Sequence, residues 1–300
     1  MRKLLSANTL WALTALLAAI GCQPKQEVAP SGRITVAVSL IPQTWLVRKV
    51  GGDRVEPVAL VAPGESPHTY QPTDAQVSRL MRAVVFFRIG APFENGPWFQ
   101  AIQSSGRPKI VDLRQGIVLR DMTEEAPDEH PAADPDATGK DPHIWLSVRL
   151  LEIQAATIAQ TLGQLDPSHQ AEYQRNLESV QRELDALDQA IAKKLAGMRG
   201  KSFFVFHPAW GYFADDYGLR QVAIEVEGKD PTDHELTKLQ RAARAAGAQI
   251  ILVQPEISGR AARAVAAATG ARVESADPLS ADVPASLLKV ADLLAGAVKK

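Results

Sequence analysis

Three histidines in this chain stand in loops at or beyond the ends of strand-like segments. His68 lies in the turn PGESPHTYQPT after the apolar run RVEPVALV, His143 lies in DPHIWLS, and His207 ends KSFFVFH just before Pro208. Asp277, in SADPLS, follows the last apolar run, ARVES. Successive members of this set are 64 to 75 residues apart, so each arrives from a different connection. Loops at the carboxyl ends of strands are where α/β sheets bind ligands. Three imidazoles and one carboxylate suit a borderline divalent metal such as Zn2+ in tetrahedral ligation. Long-range spacing of this kind has none of the specificity of a CxxC pair, and strand-end histidines in packing roles would show the same pattern. The remaining three, His130, His169 in DPSHQ and His234 in PTDHEL, sit among polar neighbours and read as surface residues.

The segments that must position these side chains alternate in type. Strand candidates at 33–40, 55–62, 83–90 and 109–113 are separated by helical stretches, and the pattern resumes with 201–207, 220–228, 249–256 and 271–275. Such alternation predicts an α/β fold with parallel sheets. Between the two series Tyr173, Leu177, Val180, Leu184, Leu187, Ile191 and Leu195 recur at steps of three and four, with no Pro or Gly until Gly197. This spacing predicts one helix of about 30 residues, about 45 Å long. A coiled-coil dimer is the rival, but the run is short and an α/β unit follows it, so a helix packed along both lobes is expected. The expected division is a signal peptide at 1–21, a tether at 22–32, an N-terminal lobe at 33–166, a connecting helix at 167–199 and a C-terminal lobe at 200–300. Residues 121–142 interrupt the rhythm with eight acids against Lys140 alone, and read as a solvated loop.

Composition narrows the function. With 33 basic and 34 acidic residues among 300, the chain carries no field that would draw nucleic acid or anionic lipid. Arg2 and Lys3 precede an apolar stretch too short and too polar for a membrane span but suited to a signal sequence. It ends at Gly21-Cys22, and the segment AIGC is similar to a bacterial lipobox, although Ala19 stands where Leu is commoner. Lipidation at Cys22 and an extracytoplasmic location, periplasmic or cell-surface, are expected; an ordinary secretory signal with an incidental cysteine is the alternative. Cys22 is the sole cysteine, so no intrachain disulfide or thiolate metal site is available. Any metal must be held by His, Asp or Glu.

The local motifs resemble those of the metal-binding periplasmic proteins and lipoproteins of ABC importers for zinc and manganese, a group that includes related surface adhesins. PGESPHTYQPT (63–73), DPHIWLS (141–147), FHPAWGYFADDYGL (206–219), EGKDPTDHEL (227–236), QPEISGRAARAVAAATGARV (254–273) and ADPLS (276–280) occur in the family's order across nearly the whole mature chain. The resemblance implies two small α/β lobes joined by a single long helix, with metal in the cleft between them. By motif it assigns His68, His143, His207 and Asp277 as ligands. It also implies a monomer that captures a divalent ion and passes it to a membrane permease, with no chemistry of its own and with the membrane met only through the N-terminal lipid.

Manganese-selective members of that group usually carry glutamate at the third histidine; His207 therefore favours Zn2+ over Mn2+, as does the greater affinity of zinc for nitrogen donors. Glu65, Tyr70 and Ser147 are candidates to support the ligands by hydrogen bonds. Ser147 departs from the family's usual aspartate, and Gln71 from its commoner glutamate. A zinc hydrolase is the rival from another class, but it would need an open metal position and a nearby base, and no HExxH helix is present. An adhesin role has no sequence feature to specify its partner.

Overall fold

The structure is a computed structural model and describes residues 32–122, 139–225, 231–255 and 259–298. The expected signal and nearly all of the expected tether with Cys22, most of the acidic stretch with His130, and residues 226–230 and 256–258 of the later motifs lie outside the described residues.

Two four-stranded parallel sheets form the framework. The first contains β1 (Ile34–Val38), β2 (Val55–Ala59), β3 (Val85–Arg88) and β4 (Lys109–Asp112) in the order β2-β1-β3-β4. The second contains β5 (Ser202–Val205), β6 (Arg220–Ala223), β7 (Ile250–Val253) and β8 (Arg272–Ser275) in the equivalent order β6-β5-β7-β8. The strands are shorter than the apolar runs that announce them, because the chain leaves each sheet to enter the loops above it. Helices α1 (Ile41–Gly51), α2 (Asp74–Met81), α3 (Pro97–Ser105) and α4 (Val148–Leu165) serve the first sheet. In the second half α6 (Gly211–Tyr217), α7 (Asp233–Ala245), α8 (Arg260–Thr269) and α9 (Val283–Val298) alternate with the strands.

Between the halves runs α5 (Gln170–Leu195), preceded by a single 3-10 turn at Pro167–His169. Its buried residues are Tyr173, Leu177, Val180, Leu184, Leu187, Ile191 and Leu195, the same seven that the periodicity selects. This stripe packs on α1 and α4 of the first lobe and on α9 of the second. Burying one apolar face against both lobes explains why a helix with a polar remainder forms here and why it joins the two sheets into one body.

Alternation along β5 divides the core. Phe203 and Val205 belong to the main cluster, which runs from the first sheet through α5 to one face of the second. Phe204 and Phe206 face the opposite way, into a smaller cluster with Leu239 of α7 and Val265 of α8. Helix starts are fixed locally. Gln43 Oε1 accepts the Leu40 N–H while its Nε2 donates to the Phe87 carbonyl, which pins α1 to β3. Ser147 Oγ accepts the Leu150 N–H at the start of α4, and Thr232 and Glu235 form a reciprocal capping box on α7. No helix among the described residues is long and apolar enough to cross a membrane.

Candidate metal-binding site

The carboxyl ends of the two sheets face a common cleft. His68 follows β2, His143 begins the buried 3-10 turn Ile144–Leu146 just ahead of α4, and His207 follows β5. One ring nitrogen from each lies within 4.8 Å of the others. His68 Nε2 is 3.0 Å from His207 Nε2, and His207 Nε2 is 3.2 Å from His143 Nε2. Two nitrogens bound to one tetrahedral Zn2+ at the usual Zn–N length stand about 3.3 Å apart, so these spacings fit a shared divalent ion.

Buried carboxylates set the direction of two of the rings. His143 Nδ1 lies 2.7 Å from Asp141 Oδ1, which also accepts the His143 backbone N–H at 2.9 Å. His207 Nδ1 lies 2.5 Å from Glu225 Oε1. An ionised carboxylate only accepts, so both imidazoles carry their proton on Nδ1 and present the Nε2 lone pair to the cleft. This is the carboxylate–histidine arrangement that orients metal ligands and raises their basicity. His68 differs. It is exposed as a residue, yet its ring packs against His207 and His143, and the ring nitrogen contact it makes is to His207 rather than to a carboxylate.

Burial keeps two of the three rings, His68 and His143, neutral. Burial, then the adjacent His207 and His143 rings, lower the His68 pKa to about 3. Burial also lowers that of His143 and outweighs the opposing pull of Asp141. Burial would raise the Asp141 carboxyl, but the contacts from His143 and the Arg120 guanidinium hold it below the ordinary carboxylate range. Neutral imidazoles and ionised supporting acids are the protonation states that metal binding requires.

Asp277 stands apart from this convergence. Its Oδ1 accepts the Leu279 N–H at 2.8 Å, and its carboxylate is not among the atoms gathered within 4.8 Å. It lines a cavity of about 270 Å³ that also touches Leu40, Val61, Gly64 and Ser280, between the turn that leads to His68 and the loop after β8. The other three candidates serve the scaffold. Glu65 Oε2 accepts the Ala62 N–H within its own turn. Tyr70 donates to the Leu60 carbonyl at 2.6 Å. Ser147 caps α4 and donates to Asp216 Oδ2 at 2.6 Å.

Asp141 and Glu225, by contrast, touch the histidines without having been singled out in the sequence. Asp141 is visible in hindsight as the acid of DPH. Glu225 becomes predictable only from the register of β5 with β6, since Val205 pairs with Ala223 and two further residues bring His207 beside Glu225.

Two parallel-sheet lobes spanned by one helix, with three histidines converging in the cleft, define a solute-binding protein for a metal ion. Residues 36–292 match the family model described as zinc-uptake complex component A, periplasmic, and the chain belongs to that family. It is a metal-binding, substrate-binding component of ABC importers for zinc and manganese, and not an enzyme. Among solved structures it is similar to a ZnuA crystal structure, at 36% identity and a TM-score of 0.79, covering 88% of this chain and 98% of that one. It is 27% identical to a putative metal-binding protein of Chlamydia trachomatis serovar D over 92% of this chain and 95% of the relative. It is 26% identical to the high-affinity zinc uptake system protein ZnuA of Bacillus subtilis over 86% and 83% of the two chains.

Proposed function

We propose that His68, His143 and His207 form the capture site for a zinc ion carried as cargo, and that Asp277 supplies an anionic donor from the neighbouring cavity wall. The observation that carries this reading is the pair of Nε2 lone pairs of His143 and His207, 3.2 Å apart, each fixed by a carboxylate on the far side of its ring. Two acceptors at that distance repel unless a cation lies between them, and burial disfavours the proton in that place.

An all-imidazole triad favours zinc over manganese on ligand softness and on the order of divalent affinities. The loaded protein delivers its ion to the importer's permease as a monomer, held at the extracytoplasmic membrane surface through a lipid on Cys22. The Bacillus subtilis relative is a high-affinity zinc uptake system protein, which supports the same cargo here.

Metal analysis of protein purified without chelator, followed by competition between zinc and manganese, tests the assignment. Zinc at one equivalent that manganese fails to displace is the expected result. Manganese displacing zinc at comparable concentration would overturn the cargo. His143→Ala is expected to abolish tight binding, and Asp277→Ala to weaken it less. Full affinity in Asp277→Ala would remove that residue from the site.

A further inference from the structure

Arg120 sits after β4, outside every motif that points to the metal, yet its contacts converge on one ligand. Its Nη1 lies 3.1 Å from Asp141 Oδ2, the oxygen not used by His143. Its carbonyl accepts the Asp141 N–H at 3.0 Å, so backbone and side chain hold the same residue. On the other side Nε lies 2.9 Å from Asp215 Oδ2 on α6, in the second lobe. Tyr212 of α6 completes the junction: its hydroxyl accepts the Arg120 N–H at 3.2 Å and donates to the Asp141 carbonyl at 2.9 Å.

The close approach depends on Gly211. A Cβ there would lie 1.5 Å from Arg120 Nη1 and 2.8 Å from Asp141 Oδ2. The first residue of α6 has no side chain at the point where a guanidinium crosses from one lobe to the other.

We propose that Arg120 is a positioning residue for the metal site, setting the His143 ring through Asp141 and tying that setting to the second lobe through Asp215 and the bare face at Gly211. His143 and His207 come from different lobes, so the distance between their Nε2 atoms depends on how the lobes are fastened. Arg120 fastens them two residues away from a ligand, through the carboxylate that fixes that ligand's tautomer. The inference rests on the three-histidine reading above.

The test uses the whole mature protein with Arg120→Ala, Arg120→Lys, Asp215→Asn and His143→Ala. Zinc affinity is read by chelator competition and site geometry by the visible absorption of bound Co2+. Arg120→Ala is expected to weaken zinc by about 10–100-fold, the range for loss of a group that orients a metal ligand, and to change the Co2+ spectrum. Arg120→Lys, which can reach one carboxylate but not hold both, should recover part of each. A purely structural role would lower thermal stability and leave affinity and spectrum as they were, and that result overturns the proposal.

Asp215 is more than half exposed, so Asp215→Asn tests the cross-lobe arm even if Arg120→Ala does not fold. It should weaken zinc several-fold, and an unchanged affinity and Co2+ spectrum would overturn that arm. Intact binding in His143→Ala would sink the site and this inference together. Lost binding there with wild-type behaviour in Arg120→Ala would sink Arg120's role alone.

Discussion

Glu225 Oε1 lies 2.5 Å from His207 Nδ1, and both side chains are buried at the carboxyl end of adjacent strands. The contact decides which ring nitrogen is free for metal. Replacing the carboxylate by its amide keeps the shape but removes the charge and offers an N–H2 donor, which would favour a proton on Nε2 instead. Glu225→Gln is therefore expected to weaken zinc binding by about 10–100-fold with little change in folding. Chelator competition measures it. Wild-type affinity would show that His207 is oriented by its packing alone.

Acid should act on the metal-free protein in a defined direction. The unfolded chain protonates its histidines near 6.5, whereas His68 in the fold holds off until about 3 and His143 is also lowered. Between those values the unfolded state binds more protons at these histidines, so their contribution to stability falls as the pH drops from about 6.5 toward 3. Urea midpoints across that range should fall in the wild type and less steeply in His68→Gln. Equal slopes would mean that His68 protonates in the fold as readily as in the unfolded chain.

Trp145 makes a second tie between lobes. Its indole N–H donates to the Pro278 carbonyl at 2.7 Å, next to Asp277, and the side chain is 3% exposed. Trp145→Phe leaves a buried carbonyl without its donor, at a cost of about 1–3 kcal/mol. For a chain of this size each kcal/mol lowers Tm by about 2–4 °C. Calorimetry of the metal-free protein measures this, and an unchanged Tm would assign the indole N–H no structural part.

How far the sequence discloses this site depends on which contacts are local. The seven apolar residues of α5 follow from helical period alone, because one face of a long helix is buried and every other residue is not. The placement of His68 and His207 after strands, and of His143 in the loop ahead of a helix, follows from the alternation of elements, though not their convergence, which needs both sheets in place. Glu225 and Arg120 escape the sequence because each meets the site across a backbone pairing, β5 with β6 for one and the Asp121–Lys140 bridge for the other, eighteen residues from His207 and twenty-one from Asp141. Ser147 shows the reverse. It stands beside a ligand motif, yet its hydroxyl is engaged by the start of α4 and by Asp216, because a helix beginning there needs its cap.

That same Asp216 offers a last test, at the seam between α4 and α6. Its carboxylate accepts the Ser147 hydroxyl, with the Arg149 Nε 3.9 Å away. Burial pushes its pKa up to about 6, the Asp188 and Asp215 charges add to the rise, and the contacts with Ser147 and Arg149 only partly offset it. The unfolded value is near 3.9, so between those limits the folded state binds the extra proton. The contribution of this group to stability therefore rises as the pH falls from about 6 toward 4, and the ionised carboxylate costs stability above that window. Asp216→Asn keeps an oxygen for Ser147 and removes the charge. It should be more stable than the wild type by about 1–2 kcal/mol near pH 8, with the gap closing as the pH approaches about 4. Urea denaturation at the two ends of the range measures the gap. A gap that stayed constant with pH would show that Arg149 and the Ser147 hydroxyl already neutralise the buried charge.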